Sequence, residues 1–227
     1  GFLKCNMARA ESIKGQLAHE QVKKLVGISW KTKSPVRNSS TRNINLADLA
    51  RALDNSNTQL VSLQYGDVSD EIESVKRDFG IDVIQFGDVD NKNDIDGLAS
   101  LMGACDMVVT IENATTHLSG ALGVPTKLML PYMADWRWSV SGDSSYWYGA
   151  LQLFRQSKVN DWHSVLKQIK ALTRLKYLED ASRILDLAKE SGFEGEDFEK
   201  LHQSPNSSAE SGKSAAKELF NPNLTEI

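Results

Sequence analysis

DMVVTIENATTHLSGAL, residues 106–122, contains the change of period that decides the fold. Asp106 to Ile111 is a short apolar run with two adjacent valines and reads as a buried strand. Glu112 and Asn113 interrupt it. From Ala114 the spacing becomes helical, with Leu118, Ala121 and Leu122 on one face. A strand therefore turns at once into a helix whose N-cap is Asn113 or Thr115. Such a turn aims the unpaired N–H groups of the first helical turn at whatever sits above the strand end, which favours phosphate or another anion. Glu112, Asn113, Thr115, Thr116 and His117 crowd that mouth. Open α/β sheets bind ligands outside the carboxyl ends of their strands.

Outward from this stretch the same alternation repeats. Residues 25–30, 59–66, 81–87, 123–131 and 150–155 read as further strands. Helices are predicted over 46–54 with Asn45 as cap, over 68–80 stopped by Gly80, over 94–105 with Leu98, Leu101 and Met102 inward, and over 161–172. This order implies βαβ units in an α/β domain, a Rossmann-like, doubly wound, mainly parallel sheet of about six strands. Residues 31–45 form a long polar loop, and 132–150 an irregular aromatic one. Four segments are expected: 1–24 a connector helix, 25–172 the Rossmann-like domain, 173–202 a helical appendage, and 203–227 a small, polar, flexible tail.

Composition narrows the function classes. The chain has 227 residues, 41% hydrophobic and 25% charged, with net charge -4. That balance argues against a nucleic-acid partner, which requires a basic face, but allows a small basic pocket. No apolar run reaches the roughly 18 residues of a membrane span. The start, GFLKCNMARAESIKG, lacks an apolar h-region, so a secretory leader is not expected. Two cysteines, Cys5 and Cys105, fit a reducing cytoplasm better than a disulfide. No Cys/His cluster has metal-ligand spacing, so no metal or other cofactor is expected. The G-x-G-x-x-G, G-x-x-x-x-G-K and G-x-S-x-G signatures are missing.

Several groups carry chemistry. Lys31, Lys33, Arg37 and Arg42 follow the first strand and lie at the same sheet edge as 112–117. They suit a diphosphate, or form a solvated charged loop. Glu112 repels phosphate, so it caps the helix, accepts from a sugar or ribose hydroxyl, or holds Lys31 or Arg42. His117 is either a packing residue or a neutral donor to a phosphate or sugar oxygen, since a helix N-terminus disfavours its charged form. In PYMADWRW (131–138), Trp136 and Trp138 beside Arg137 make a slot for a planar group such as a nucleobase. Alternatively the two rings pin the loop onto the core and Arg137 pairs with Asp135.

The order of these pieces resembles a known family. LVGISW, TRNINLADLARAL, VSLQYG, LASLMGACDMVVTIENATTHLSGALGVPTKLML, PYMADWRW, SSYWYGALQLFRQ and a DW-headed helix are similar to the carboxyl-terminal domain of heptosyltransferase-like glycosyltransferases, over roughly 1–172. D-W-R-W and L-F-R-Q fit the subgroup joined to tetratricopeptide repeats. The resemblance implies a bacterial, cytoplasmic protein and a GT-B architecture of two Rossmann-like domains facing across a cleft. The second domain binds the nucleotide-sugar donor without metal. The family's D-T-x-x-x-H falls on Glu112, Asn113 and His117, and the first two depart from it. Arg42 matches the family's basic residue after the first strand.

The resemblance also implies a donor site with Lys31, Arg42, Asn113, Ala114, Thr115 and His117 on the diphosphate, and Glu112 on a sugar or ribose hydroxyl. The base lies against Gln64, Asp135, Trp136 or Arg137. The catalytic base and acceptor site belong to an amino-terminal domain that this sequence does not contain, so the chain reads as a fragment. It is expected to act as a transferase if joined to that half, and its expected partners are a nucleotide sugar and, as a fragment, that amino-terminal domain or a tetratricopeptide region. A non-catalytic interaction module derived from such a domain, and a free-standing nucleotide-sugar epimerase, are the alternatives.

Overall fold

A computed structural model describes residues 1–17, 24–32, 39–55 and 57–171. The expected appendage (173–202) and tail (203–227), with Lys33 and Arg37, lie outside the described residues. Residues Gly1–Ala171 form one compact unit.

In chain order the elements are α1 (Met7–Leu17), β1 (Lys24–Ser29), a 3-10 turn (Ser39–Arg42), α2 (Leu46–Leu53), β2 (Thr58–Ser62), α3 (Ser69–Phe79), β3 (Val83–Ile84), α4 (Ile95–Ala104), β4 (Met107–Ile111), α5 (Ala114–Leu122), β5 (Thr126–Leu130), a second 3-10 turn (Trp136–Trp138) and β6 (Leu151–Arg155). Residues 162–171 are helical and bury Val165, Leu166 and Ile169. The strands make one sheet of order β3-β2-β1-β4-β5-β6, and all its pairings are parallel. This is the doubly wound α/β fold that the alternation predicts. The near-continuous burial of β1 and β4 follows from helices covering both faces.

Local chemistry sets the element ends. Asn45 caps α2, its Oδ1 accepting from the Ala47 amide at 2.8 Å. Asp94 caps α4 through the Gly97 amide at 2.7 Å. Gly80 and Gly123 end α3 and α5 in the left-handed region, at φ 69° and 77°.

The strands are shorter than the sequence suggests. The stretch 59–66 leaves the sheet after Ser62, where the Gln64 side chain turns back onto the end of β1. The stretch 81–87 pairs over Val83–Ile84 alone. It is an edge strand and carries Asp82 and Gln85, and short polar edges are the rule there. The other edge is covered: Ser144 bridges antiparallel to Gln152, and the Leu153 amide donates to the Asp143 carbonyl at 2.8 Å.

α1, expected as a connector, is docked on this unit. Ala10, Ile13 and Leu17 are buried, and Ile13 and Leu17 join the cluster built from Leu101, Met102 and Val108. Arg9 pairs with Asp94 at 2.9 Å and Lys14 with Asp106 at 2.7 Å. Cys5 and Cys105 are both free thiols. Burial pushes the Cys105 thiol up to about 12.

Candidate functional site

Neighbouring strands β1 and β4 are where the sheet order reverses, which is where doubly wound sheets hold ligands. Their register sets Ser29 beside Thr110, so the carboxyl ends of both strands and the start of α5 meet. Asn113 is the N-cap of α5. Its Oδ1 accepts from the Thr116 amide at 3.4 Å and from Thr110 Oγ1 at 3.2 Å. Its Nδ2 donates to Ser29 Oγ at 2.8 Å, and Ser29 Oγ donates to Gln64 Oε1 at 3.1 Å. Gln64 Oε1 also accepts the Trp30 and Lys31 amides, each at 3.0 Å, while Nε2 donates to the Lys31 carbonyl at 3.0 Å. This side-chain relay pins the ends of β4, β1 and β2 together. Ser29, Thr110 and Gln64 are buried, so the relay satisfies groups that would otherwise be costly to desolvate.

The cap leaves the first turn of α5 open. The Ala114 and Thr115 amides have no acceptor among the described residues. The Ala114 residue is exposed, whereas Thr115 is buried. His117 is half-buried one turn in. Its ring stacks on Trp138 with centroids 5.4 Å apart and meets Tyr148 edge-on at 5.8 Å. Nδ1 lies 3.1 Å from the Tyr148 hydroxyl. Nε2 has no hydrogen-bond partner among the described residues. Burial holds the imidazole below its ordinary pKa, and the Arg137 guanidinium pushes the same way against a weaker Asp135.

Glu112 is the buried hub of the edge. Oε1 lies 2.9 Å from Arg42 Nε, and Oε2 accepts the Asp135 amide at 3.1 Å. The Trp138 side chain faces the same carboxylate and helps hold its charge. Burial nonetheless pushes this carboxyl above its usual range, against the Asp135 amide and Arg42. Of the roles open to Glu112 in the sequence, holding Arg42 is the one its geometry fills. The link joins the turn after β1 to the loop after β5.

That loop buries one of its two tryptophans and exposes the other. Trp138 is 2% exposed and pins the loop under His117. Asp135 Oδ1 accepts from the Arg137 amide at 3.1 Å and from Nη1 at 2.7 Å. Trp136, by contrast, is 71% exposed, with the Arg137 guanidinium 5.0 Å above its ring and Trp147 packed edge-on at 6.4 Å. Arg155 fastens the loop from below, donating to the carbonyls of Trp138, Ser139 and Gly142.

The structure brings Arg42, Glu112, Asp135 and Trp138 together, and His117 near Arg137. It does not bring Lys31 to the helix mouth: Nζ pairs with Glu71 on α3, whose other oxygen takes the Trp30 indole N–H at 2.7 Å. The Gln64 amide faces inward onto backbone. Ser29, Tyr148, Gly120 and Arg155 contribute to the site but are not among the residues expected from sequence, whereas Trp138 takes the pinning role read for it. Ser29, a hydroxyl closing an apolar run, was readable. Gly120 was not: a Cβ there would lie 2.6 Å from Tyr148 Cγ, a long-range approach with no local signature. Among the described residues no group of three or more His, Cys, Asp or Glu is placed to hold a metal ion. Nor is any helix among them long and apolar enough to cross a membrane.

The fold and this edge define a Rossmann-like α/β domain with a capped helix mouth at its switch point. No family model matches the chain. Protein FlbA of Caulobacter vibrioides is 31% identical over 115 residues, which is 50% of this chain and 19% of FlbA. Among solved structures, the E. coli ADP-heptose lps heptosyltransferase II is 15% identical with a TM-score of 0.49, over 77% of this chain and 54% of that one. The glycosyl transferase family 9 protein from Veillonella parvula DSM 2008 is 16% identical with a TM-score of 0.44, over 74% and 45%. The chain thus spans about a fifth of FlbA and about half of the heptosyltransferase.

Proposed function

We propose that this chain is the donor-binding half of a GT-B glycosyltransferase, and that it holds a nucleotide-diphosphate sugar for metal-independent, inverting transfer. The observation that carries the reading is the α5 mouth. Two amides of its first turn lack acceptors among the described residues, His117 in the same turn has an unpartnered Nε2, and Arg42 is paired with Glu112 just before the turn. A diphosphate placed there meets backbone dipole, a neutral imidazole donor and a cation, the groups that stabilise a leaving diphosphate. Lys31 joins them only by leaving Glu71. The Trp136 and Arg137 pair is the seat proposed for the base. The acceptor site and catalytic base belong to a partner half. The sequence resemblance to heptosyltransferase-like domains supports the same reading.

The test is nucleotide binding by calorimetry and thermal shift. UDP, GDP or ADP raises the melting temperature of the chain, and His117→Ala weakens the effect. If none of the three binds at millimolar concentration, the reading fails.

A second reading is favoured by one observation. Trp136, Tyr146 and Trp147 are 71%, 92% and 57% exposed, and large exposed aromatics grouped on one loop mark interaction surfaces. With Glu112, Asn113 and Gln64 engaged inside the fold, the chain then serves as a non-catalytic module. Nucleotide-sugar hydrolysis by the longer protein would discriminate against it.

A further inference from the structure

We propose that Tyr148 is a positioning residue that holds His117 in the tautomer bearing its proton on Nε2, so that the ring nitrogen without a partner in the first turn of α5 carries an N–H donor. The inference rests on the donor-site reading for its purpose, but not for its chemistry.

The geometry leaves one choice to make. A neutral imidazole has one donor and one acceptor nitrogen, and a tyrosine hydroxyl can do either job. The contact between His117 Nδ1 and the Tyr148 hydroxyl is 3.1 Å, so one of the two oxygen–nitrogen arrangements is present. A phenol is a good donor and a poor acceptor, because its oxygen lone pairs are delocalised into the ring. The bare imidazole nitrogen is the stronger base of the two. The hydroxyl therefore donates to Nδ1, and the ring proton resides on Nε2. An acceptor Nε2 would present a lone pair to an incoming anion; an Nε2–H presents a hydrogen-bond donor. The fixing of one nitrogen by the bond made at the other is the usual way a histidine tautomer is set.

The fold builds this contact deliberately. Tyr148 reaches α5 because position 120 is glycine: a Cβ there would fall 2.6 Å from Tyr148 Cγ and 2.8 Å from Cδ1. The ring is braced on its other side by Phe2, stacked at 6.1 Å. Its backbone amide donates to Ser145 Oγ at 3.3 Å. The imidazole is braced against rotation by Trp138, which is itself fully buried. Both partners are thus held before any ligand arrives, and the hydroxyl adds direction to a contact that packing alone would leave unspecified. The resulting site accepts phosphate oxygens, which only accept, in preference to ligand groups that donate.

The test is nitrogen NMR of the side chain in the unliganded 227-residue chain near neutral pH, with Tyr148→Phe beside it. Phenylalanine keeps the ring, the Phe2 stack and the close approach to Gly120, and removes the hydroxyl alone. The expected result is a bare Nδ1 and a protonated Nε2 for His117 in the parent, and a mixture of tautomers in Tyr148→Phe. Protonated Nδ1 in the parent, or identical tautomer populations in the two proteins, overturns the proposal. Titration with ADP then separates the two readings. If ADP binds, Tyr148→Phe weakens it several-fold, beyond the small drop in melting temperature that loss of the Tyr148–His117 bond causes in the free chain. Unaltered affinity removes the positioning role. If ADP does not bind the parent, the donor-site reading falls while the tautomer result still decides the role of Tyr148.

Discussion

Replacing Gly120 by alanine tests the packing on which His117 depends. The added Cβ would sit 2.6 Å from Tyr148 Cγ and 3.0 Å from Leu151 Cδ1, where ordinary contact begins at 3.4 Å. Cγ is the root of the ring, so turning the ring about χ2 does not relieve the clash; a χ1 change would swing the hydroxyl away from His117, and otherwise the Tyr148 backbone must move by several tenths of an ångström. The hydroxyl starts 3.1 Å from Nδ1, and a shift of that size takes it to the limit of hydrogen bonding. Overpacking of this kind costs about 1–3 kcal/mol. The lost bond adds about 0.5–1.5 kcal/mol. Alanine recovers up to about 1 kcal/mol of helix propensity inside α5. The net expectation is a destabilisation of about 0.5–4.5 kcal/mol, measured as a lower urea midpoint with unchanged slope. In a Tyr148→Ala background the main obstacle is gone, and Gly120→Ala becomes neutral or stabilising. If Gly120→Ala stabilises the parent, or costs the same in both backgrounds, the close approach of Tyr148 to α5 is not what holds the site.

Glu112→Ala strands the Arg42 guanidinium and the Asp135 amide at a buried hub, and a cost of about 3–5 kcal/mol is expected in urea unfolding; a loss below about 1 kcal/mol would refute the hub. His117 has a folded pKa below its ordinary 6.5, so the unfolded chain binds its proton first. Stability from this group is therefore present above pH 6.5 and declines as pH falls from 6.5 through the folded value. His117→Gln flattens that part of the stability–pH curve. Asn113→Ala removes the α5 cap and costs about 1–2 kcal/mol by denaturation, whereas Asn113→Asp, which still caps, costs less. Of the two thiols, Cys5 reacts with a disulfide reagent in the native chain, while Cys105, buried and raised to about 12, reacts only on unfolding.

The sheet was legible because its strands are buried on both faces, which leaves continuous apolar runs, and because Asn45, Asn113, Gly80 and Gly123 carry their conformations in local chemistry. The helix mouth was legible for the same reason: Asn113 caps within its own segment. The partnerships were not. Glu112 with Arg42, Lys31 with Glu71, and His117 with Tyr148 join residues separated by whole elements, and each side chain had more than one partner of suitable charge. Strand ends were overrun wherever a side chain competes with the backbone ladder, as Gln64 does after Ser62. The two tryptophans of D-W-R-W look alike in sequence, yet the 3-10 turn sends Trp138 inward and Trp136 outward.

Both margins of the sheet are closed to strangers. β3 pairs over two residues, too short to template another chain, and the 142–144 segment already occupies the outer side of β6. The same loop that displays Trp136 and Trp147 thereby acts as a guard against fibre growth. A mutation that loosens Arg155 from its carbonyls would release more than a mobile loop. It would uncover a ready parallel strand next to sticky rings, and self-association would precede unfolding on heating.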